Sequence, residues 1–306
     1  MRIGAIDLGT NSCRFLLVEY AGGTLQELKK GLRITRLGAG VDRNKLLSNQ
    51  AIERALAAVL DFVGVMKSLQ VDQVTLLGTS ALREVSNAFL LAERIKEKTG
   101  LQLRVVSGAE EARLNYLGAG EEGEDSLILD IGGGSTELIW QAEGGIINYR
   151  SLDIGAVRMT ERYIRDPEKE IREEDLLELE EAVRAIIREE LESLPANIGR
   201  VIGLGGTITT LAAIEQQLEK YDSARIQDYL LEKGQVEEIL KKLSRLSLAE
   251  RRQVKGLEPG RADIIVAGIK ILTTVMDIMA IKEIRASEKD LLYGAIKELA
   301  KKFGLF

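Results

Sequence analysis

No histidine occurs among the 306 residues. That absence removes Ser-His-Asp hydrolysis, His-ligated zinc and a phosphohistidine relay together. A catalytic base must then be a carboxylate, a lysine, a tyrosine or the one cysteine. A metal must be held by oxygen, which points to a hard cation such as magnesium. The one cysteine, Cys13, excludes an intrachain disulfide framework and fits a reducing cytoplasm. No apolar run approaches the roughly 18 residues that a spanning helix needs, so no membrane partner is expected. Asp7 interrupts the apolar start of the chain, which speaks against a signal-peptide core. A basic surplus is also lacking. The net charge is −6, which argues against a nucleic-acid partner, although a local basic cleft can still take a polyanion.

What remains is ordinary for a globular chain: 45% apolar and 29% charged residues, in a length that suits about two domains with a core each. Arg2–Leu8 reads as a buried strand, Cys13–Tyr20 as a second and Thr24–Leu32 as a third. Ser48 reads as the N-cap of a helix running to Leu69. Strands at Gln73–Leu77 and Gln102–Val106 follow, then a helix at Ala109–Leu117. The pattern restarts with strands at Ser126–Ile131, Thr136–Gln141 and Ile146–Leu152, separated by glycine turns that include Glu143-Gly144-Gly145. Helices at Ala156–Arg165 and Glu173–Ser193, a strand at Arg200–Leu204 and a helix from Ile208 come next. Ala262–Met279 (helix), Lys282–Ala286 (strand) and Asp290–Lys302 (helix) complete the pass. The period is far longer than a solenoid repeat, so the reading is one duplicated fold. The expected domains are 1–124 and 125–306, with Gly120–Asp125 as linker and the last helix, 290–306, able to pack back on the first domain.

Both halves open with a strand that ends in Asp and a small-residue turn: Asp7-Leu8-Gly9-Thr10-Asn11-Ser12 and Asp130-Ile131-Gly132-Gly133-Gly134-Ser135. Such a turn lets backbone N–H groups approach an anion, and the carboxylate beside it can hold a cation. One copy alone is most simply a tight β-turn. Two copies in matching places predict a clamp on a metal–phosphate pair. A third glycine turn, Gly205-Gly206-Thr207, leads into a helix whose N-terminus attracts phosphate, though alone this is a weak signal. Glu110 and Glu111 both fall in the first turn of a helix, and the residue pattern does not choose between them. Arg83 suits either a bidentate phosphate grip or a surface ion pair. Cys13 lies in an apolar strand and reads as a small core residue.

These motifs resemble the exopolyphosphatase/guanosine-pentaphosphate phosphohydrolase family over nearly the whole chain. AIDLGTNSCRFLL, RLGAGVDRNKLLSNQAIERAL, GTSALREVSNAF, VVSGAEEARLNYLG, LILDIGGGSTELI, GLGGTITTLAAI and PGRADIIVAGIKIL follow in the family's order and spacing. The resemblance implies two ribonuclease-H-like α/β domains of the actin/Hsp70/sugar-kinase architecture, with an interdomain cleft. It makes Glu111 the catalytic carboxylate. It assigns Asp130 and Glu137 to magnesium and the attacking water, and it places Asp7, a supporting metal residue on the turn pattern, at the head of the first phosphate loop. Gly9, Thr10, Asn11 and Ser12 become the first phosphate loop, Gly133, Gly134 and Ser135 the second, and Gly205, Gly206 and Thr207 the third. Arg83 becomes a phosphate contact. Asp290 stands where the family commonly has a small residue, and no role is assigned to it.

The expected activity is magnesium-dependent release of orthophosphate from the end of inorganic polyphosphate. The alternative is removal of the 5′-terminal phosphate of guanosine pentaphosphate. A nucleotide-binding regulator and a sugar kinase are lesser rivals. Longer relatives carry a further C-terminal helical region. This chain resembles the short members, so distributive release is expected, with Arg33, Arg36, Arg158 and Arg261 the basic residues available to line an entry path. A homodimer is compatible with the sequence.

Overall fold

The computed structural model describes residues 1–120, 126–141, 147–190, 194 and 198–305. From position 121 onward, the expected linker lies outside the described residues, as does the expected Glu143-Gly144-Gly145 turn. The chain forms two compact units, Met1–Glu121 with Lys289–Phe306, and Glu122–Glu288. Residues after Lys289 count with the first unit because the helix Leu291–Lys302 packs on that unit's first strand and on its helix Gly108–Ala119.

The first unit holds five strands: β1 (Arg2–Leu8), β2 (Ser12–Ala21), β3 (Thr24–Ile34), β4 (Gln73–Gly78) and β5 (Leu103–Val105). Their order in the sheet is β3-β2-β1-β4-β5. The first three form an antiparallel meander, while β4 and β5 add in parallel. The central β1 is covered on both faces and reads as an almost unbroken apolar run. Side chains alternate along it. Ile6 and Leu8 join a core with the helices Asn49–Ser68 and Ala88–Thr99, and Ile3 and Ala5 join a second core with Leu114, Leu291 and Ile296. Ser48 caps the Asn49–Ser68 helix by accepting from the Ala51 N–H at 3.2 Å. The exposed edge strand β3 carries Lys29 and Lys30, charges that discourage pairing with another chain.

The second unit repeats this plan with β6 (Ser126–Ile131), β7 (Thr136–Gln141), β8 (Ile147–Leu152), β9 (Arg200–Leu204), β10 (Leu230–Glu232) and β11 (Glu283–Ala286). Read from β8, the order is β8-β7-β6-β9-β11, with β10 added antiparallel at the edge. Each sheet is therefore mixed, and both share the ribonuclease-H-like order that the family resemblance implies. The core of this unit gathers around the apolar helix Ile265–Ile278. No helix among the described residues is long and apolar enough to cross a membrane.

Two local expectations change. Gly205-Gly206-Thr207 is not a turn ahead of the helix but its first turn, because the helix runs Gly205–Glu215. Unforeseen elements fill the stretch before the last apolar helix, chiefly β10 and the helix Lys233–Ser244.

Candidate active site

Asp7 continues the β1 row of Ile3 and Ala5, and its register partner Arg14 continues the β2 row of Leu16 and Val18. Both therefore emerge on the face covered by the helices Gly108–Ala119 and Leu291–Lys302. Arg14 Nη2 and Nε donate to Asp7 Oδ2 at 2.6 and 3.2 Å. Its Nη1 donates to Asp290 Oδ2. Asp7 Oδ1 is buried with no hydrogen-bond partner.

The turn beyond Asp7 closes with the Gly9 N–H donating to the Ser12 carbonyl at 3.0 Å. The Thr10 carbonyl accepts from the Gly38 N–H at 2.8 Å, and the Asn11 carbonyl from the Thr35 and Arg36 N–H groups at 3.0 and 2.8 Å. A trans peptide sets each N–H opposite the preceding carbonyl. The N–H groups of Asn11 and Ser12 are thereby turned away from the 35–38 segment. Asn11 Nδ2 is a second buried polar atom with no partner.

On the neighbouring helix the two glutamates separate. Glu110 forms a capping box with Ser107 and an ion pair with Arg104, the dipole-partner role that such a residue commonly has. Glu111 is buried, and its Oε2 accepts from Arg83 Nη1, which also donates to the Val106 carbonyl at 3.2 Å. Arg83 is thus not a surface ion pair, because it holds the buried Glu111. Burial pushes the Glu111 carboxyl above its usual range; Arg83 opposes the shift and the charge of Asp7 adds to it. Asp7 is likewise raised by burial, with Arg14 opposing. Burial works against the Arg14 charge too, but Asp290 and Asp7 more than offset it, so its pKa stands above the usual arginine value. Burial pushes the Cys13 thiol up, which fits a core residue and not a nucleophile.

In the second unit, Asp130 faces Glu137 directly across β6 and β7. Two carboxylates directly opposite one another repel unless something offsets them. Glu137 is buried, and its Oε1 accepts from the Ser151 hydroxyl at 2.8 Å. The turn beyond closes as the first one does, with the Gly132 N–H donating to the Ser135 carbonyl at 3.0 Å. The start of the helix Ala156–Tyr163 pins the carbonyls of Gly132 and Gly133, through the N–H groups of Ala156, Val157 and Arg158 at 2.8–3.1 Å. Arg158 Nε donates to the Gly134 carbonyl at 2.7 Å. The N–H groups of Gly133, Gly134 and Ser135 are thereby all turned the other way, the concave arrangement that suits an anion. Arg158 is a buried clamp on this turn and does not line an entry path. Arg33, at 3.6 Å from Asp61, pairs on the exposed surface.

Gly205 joins the third glycine segment to Asp130. Its φ is +84°, and a Cβ there would lie 2.5 Å from Asp130 Oδ1. Beside it, the Arg261 guanidinium occupies the space that a Gly206 side chain would need, and Thr207 is buried. No group of three or more Asp, Glu or Cys side chains converges as a metal cage among the described residues. The Asp130–Glu137 pair and the unsatisfied Asp7 oxygen nevertheless fit magnesium, which takes few carboxylates and keeps waters and phosphate oxygens.

Sequence reasoning missed Arg14 and Asp290. The signal for Arg14 was its place one residue beyond Cys13, which sets it opposite Asp7 in a two-residue hairpin. Asp290 gave no signal beyond a cap.

The pattern of the Ppx/GppA phosphatase family matches residues 16–303. The chain belongs to this family. It is similar to exopolyphosphatase 2 of Mycobacterium tuberculosis, 32% identical over 321 residues that cover 98% of each protein. It is 31% identical over 307 residues to the bifunctional 3-dehydroquinate synthase/phosphatase of Fusobacterium nucleatum, matching 96% of this chain and 46% of that one. Among solved structures, an exopolyphosphatase from Cytophaga hutchinsonii superposes with a TM-score of 0.89 at 28% identity, covering 99% of this chain and 98% of that one. The Aquifex aeolicus Ppx/GppA family member gives 0.80 at 28% identity, with the same coverage. As a Ppx/GppA protein the chain is a phosphoanhydride hydrolase, which sets aside the regulator and sugar-kinase readings.

Proposed function

We propose that this Ppx/GppA protein is an exopolyphosphatase, releasing orthophosphate from the end of inorganic polyphosphate with magnesium as cofactor. The observation that carries the reading is Glu111: a buried carboxylate, raised in pKa, oriented by Arg83 and felt by the charge of Asp7. A buried carboxylate fixed in orientation by a guanidinium suits the proton work of hydrolysis.

In the reaction, Glu111 orients a water and takes its proton as the water oxygen bonds to the terminal phosphorus. The bridging P–O bond breaks and the shortened chain leaves as a phosphate anion, so no strong general acid is required. The outward N–H groups of Gly133, Gly134 and Ser135, with those of Asn11 and Ser12, bind phosphate oxygens. Gly9 and Thr10 shape the first turn, and Gly205, Gly206 and Thr207 extend the second unit's phosphate surface. Within each unit a carboxylate would serve magnesium: Asp7 in the first, and Asp130 in the second, with Glu137 beside it orienting bound water. Magnesium, when bound, offsets the negative charge of the phosphates. Positioning and electrostatics account for most of the acceleration in phosphoryl transfer.

The test is orthophosphate release from long-chain polyphosphate, guanosine pentaphosphate and ATP, each with magnesium and with excess chelator. Fastest release from polyphosphate, abolished by chelator, is expected. Faster release from guanosine pentaphosphate would transfer the assignment to the 5′-phosphohydrolase activity. Full activity in chelator would end the magnesium reading.

A further inference from the structure

We propose that Asp290 is a positioning residue for the hydrolysis: through Arg14 it holds Asp7 with one carboxylate oxygen engaged and the other kept free. The proposal rests on the reading of Asp7 given above. Asp290 is the N-cap of the helix Leu291–Lys302, and its Oδ1 accepts from the Leu292 N–H at 3.0 Å. A cap needs only that one oxygen. The other, Oδ2, takes Arg14 Nη1. The guanidinium is thereby divided. One edge serves Asp7 Oδ2 alone, and the remaining nitrogen serves Asp290.

Arginine prefers to lie side-on to a carboxylate and bond both oxygens. The pull of Asp290 prevents that here and spares Asp7 Oδ1, which is buried and has no partner. Both carboxylates are nearly sequestered, Asp7 at 3% and Asp290 at 6% exposure, so their charges are poorly screened. Two carboxylates share one guanidinium, which leaves the cluster a negative charge to offer.

The anchor is firm. A Cβ at Gly118 would overlap the Asp290 carbonyl, and one at Gly294 would overlap the Leu114 carbonyl. The last helix therefore seats its first turn directly against the backbone of the helix that carries Glu111. One joint sets Asp7 through a side chain and Glu111 through a helix contact. Neither the cap nor the core around it requires the second ion-pair oxygen.

The test is a double-mutant cycle of Asp290→Asn and Asp7→Asn, measured as kcat and KM on polyphosphate. Asparagine keeps the cap acceptor, so thermal melting and KM should stay close to those of the unaltered protein. Asp290→Asn should lower kcat by about tenfold, the lower end of losses seen for groups that orient a metal-binding residue. In the Asp7→Asn background the same substitution should change kcat less than about twofold, because the two act through one path. Asp290→Ser is a second cap-competent variant should the asparagine form fold poorly. Calorimetric titration of magnesium into the substrate-free protein should show several-fold weaker binding for Asp290→Asn. An unchanged kcat for Asp290→Asn overturns the proposal. So does an equal factor lost in both backgrounds. If the unaltered protein neither binds nor needs magnesium, the metal reading of Asp7 fails, and the kinetic cycle still decides the role of Asp290.

Discussion

The two Asp turns share a strand pair, a closing hydrogen bond and the outward setting of their N–H groups, yet they differ in what faces the Asp. Arg14 faces Asp7, and Glu137 faces Asp130, at the same register position. On the strand facing its Asp, the first turn has a guanidinium and the second a carboxylate. Duplication kept the geometry and divided the electrostatics. A carboxylate tied to a guanidinium is a weaker magnet for a cation than one that has a second carboxylate on the facing strand. The second turn should therefore dominate the metal dependence, and the first should mainly fix orientation next to Glu111.

The largest expected effect lies beside the first turn. Glu111→Gln should lower kcat by about 10²–10⁴-fold, while Glu110→Gln, which keeps the cap acceptor and loses only the charge of the pair with Arg104, leaves kcat close to normal. The reverse ranking would move the proton-handling role to the wrong neighbour and undo the division between the turns. Next, Asp130→Ala should raise the magnesium concentration at half-maximal rate by on the order of 10–100-fold, and Asp7→Ala by clearly less. Equal shifts in a magnesium titration would show that facing charge does not set the hierarchy.

A third effect concerns stability. Gly205→Ala puts a Cβ at positive φ against Asp130 Oδ1, so urea unfolding should report a loss of about 1–3 kcal/mol. Activity should fall with it because Asp130 is displaced. The first unit's counterpart by sheet position, Gly78, has no positive φ, and a Cβ there would meet the side chains of Leu82 and Leu103 and not the turn's Asp. The smallest effect is a pH linkage. The folded pKa of Glu111 is raised, so the folded state binds its proton more tightly than the unfolded chain does. The stability this gives is present below the ordinary glutamate value of about 4.3 and is lost as pH rises through the raised value. The stability gained by Glu111→Gln relative to the unaltered protein should therefore grow with pH across that window and be flat on either side. A gap that shrinks with rising pH would mean that Arg83 outweighs burial.

The strands of both meanders and the turns that follow Asp7 and Asp130 were legible because burial on one or two faces imposes apolar runs broken by glycine. Ser126–Ile131, Thr136–Gln141 and Arg200–Leu204 lie where the pattern puts them. The duplication was legible for the same reason. The helix Lys233–Ser244 was not, since its apolar stripe of Val236, Ile239 and Leu243 sits between charged residues and carries no cap of the Ser or Asp kind. Gly205 and Gly206 hid a helix start because glycine reads locally as a turn, while the backbone donors here are ordered by packing against Asp130 and Arg261. Most opaque was the contact between Arg14 and Asp290. The two lie 276 positions apart, and no local period records a partner at that distance. The choice between Glu110 and Glu111 needed burial as well, a property of the folded helix and not of its first turn.

The last helix has a consequence for synthesis. A ribosome makes all of residues 122–288 between the Glu111 helix and the segment that covers it. Until Leu291–Lys302 emerges, the nascent first unit must carry Ile3, Ala5, Leu16, Val18 and Leu114 with their apolar lid missing. The second unit can close as its own residues appear, so the half made first is the half completed last. Long-range closure of that kind is slow, and it leaves apolar surface exposed for the whole delay.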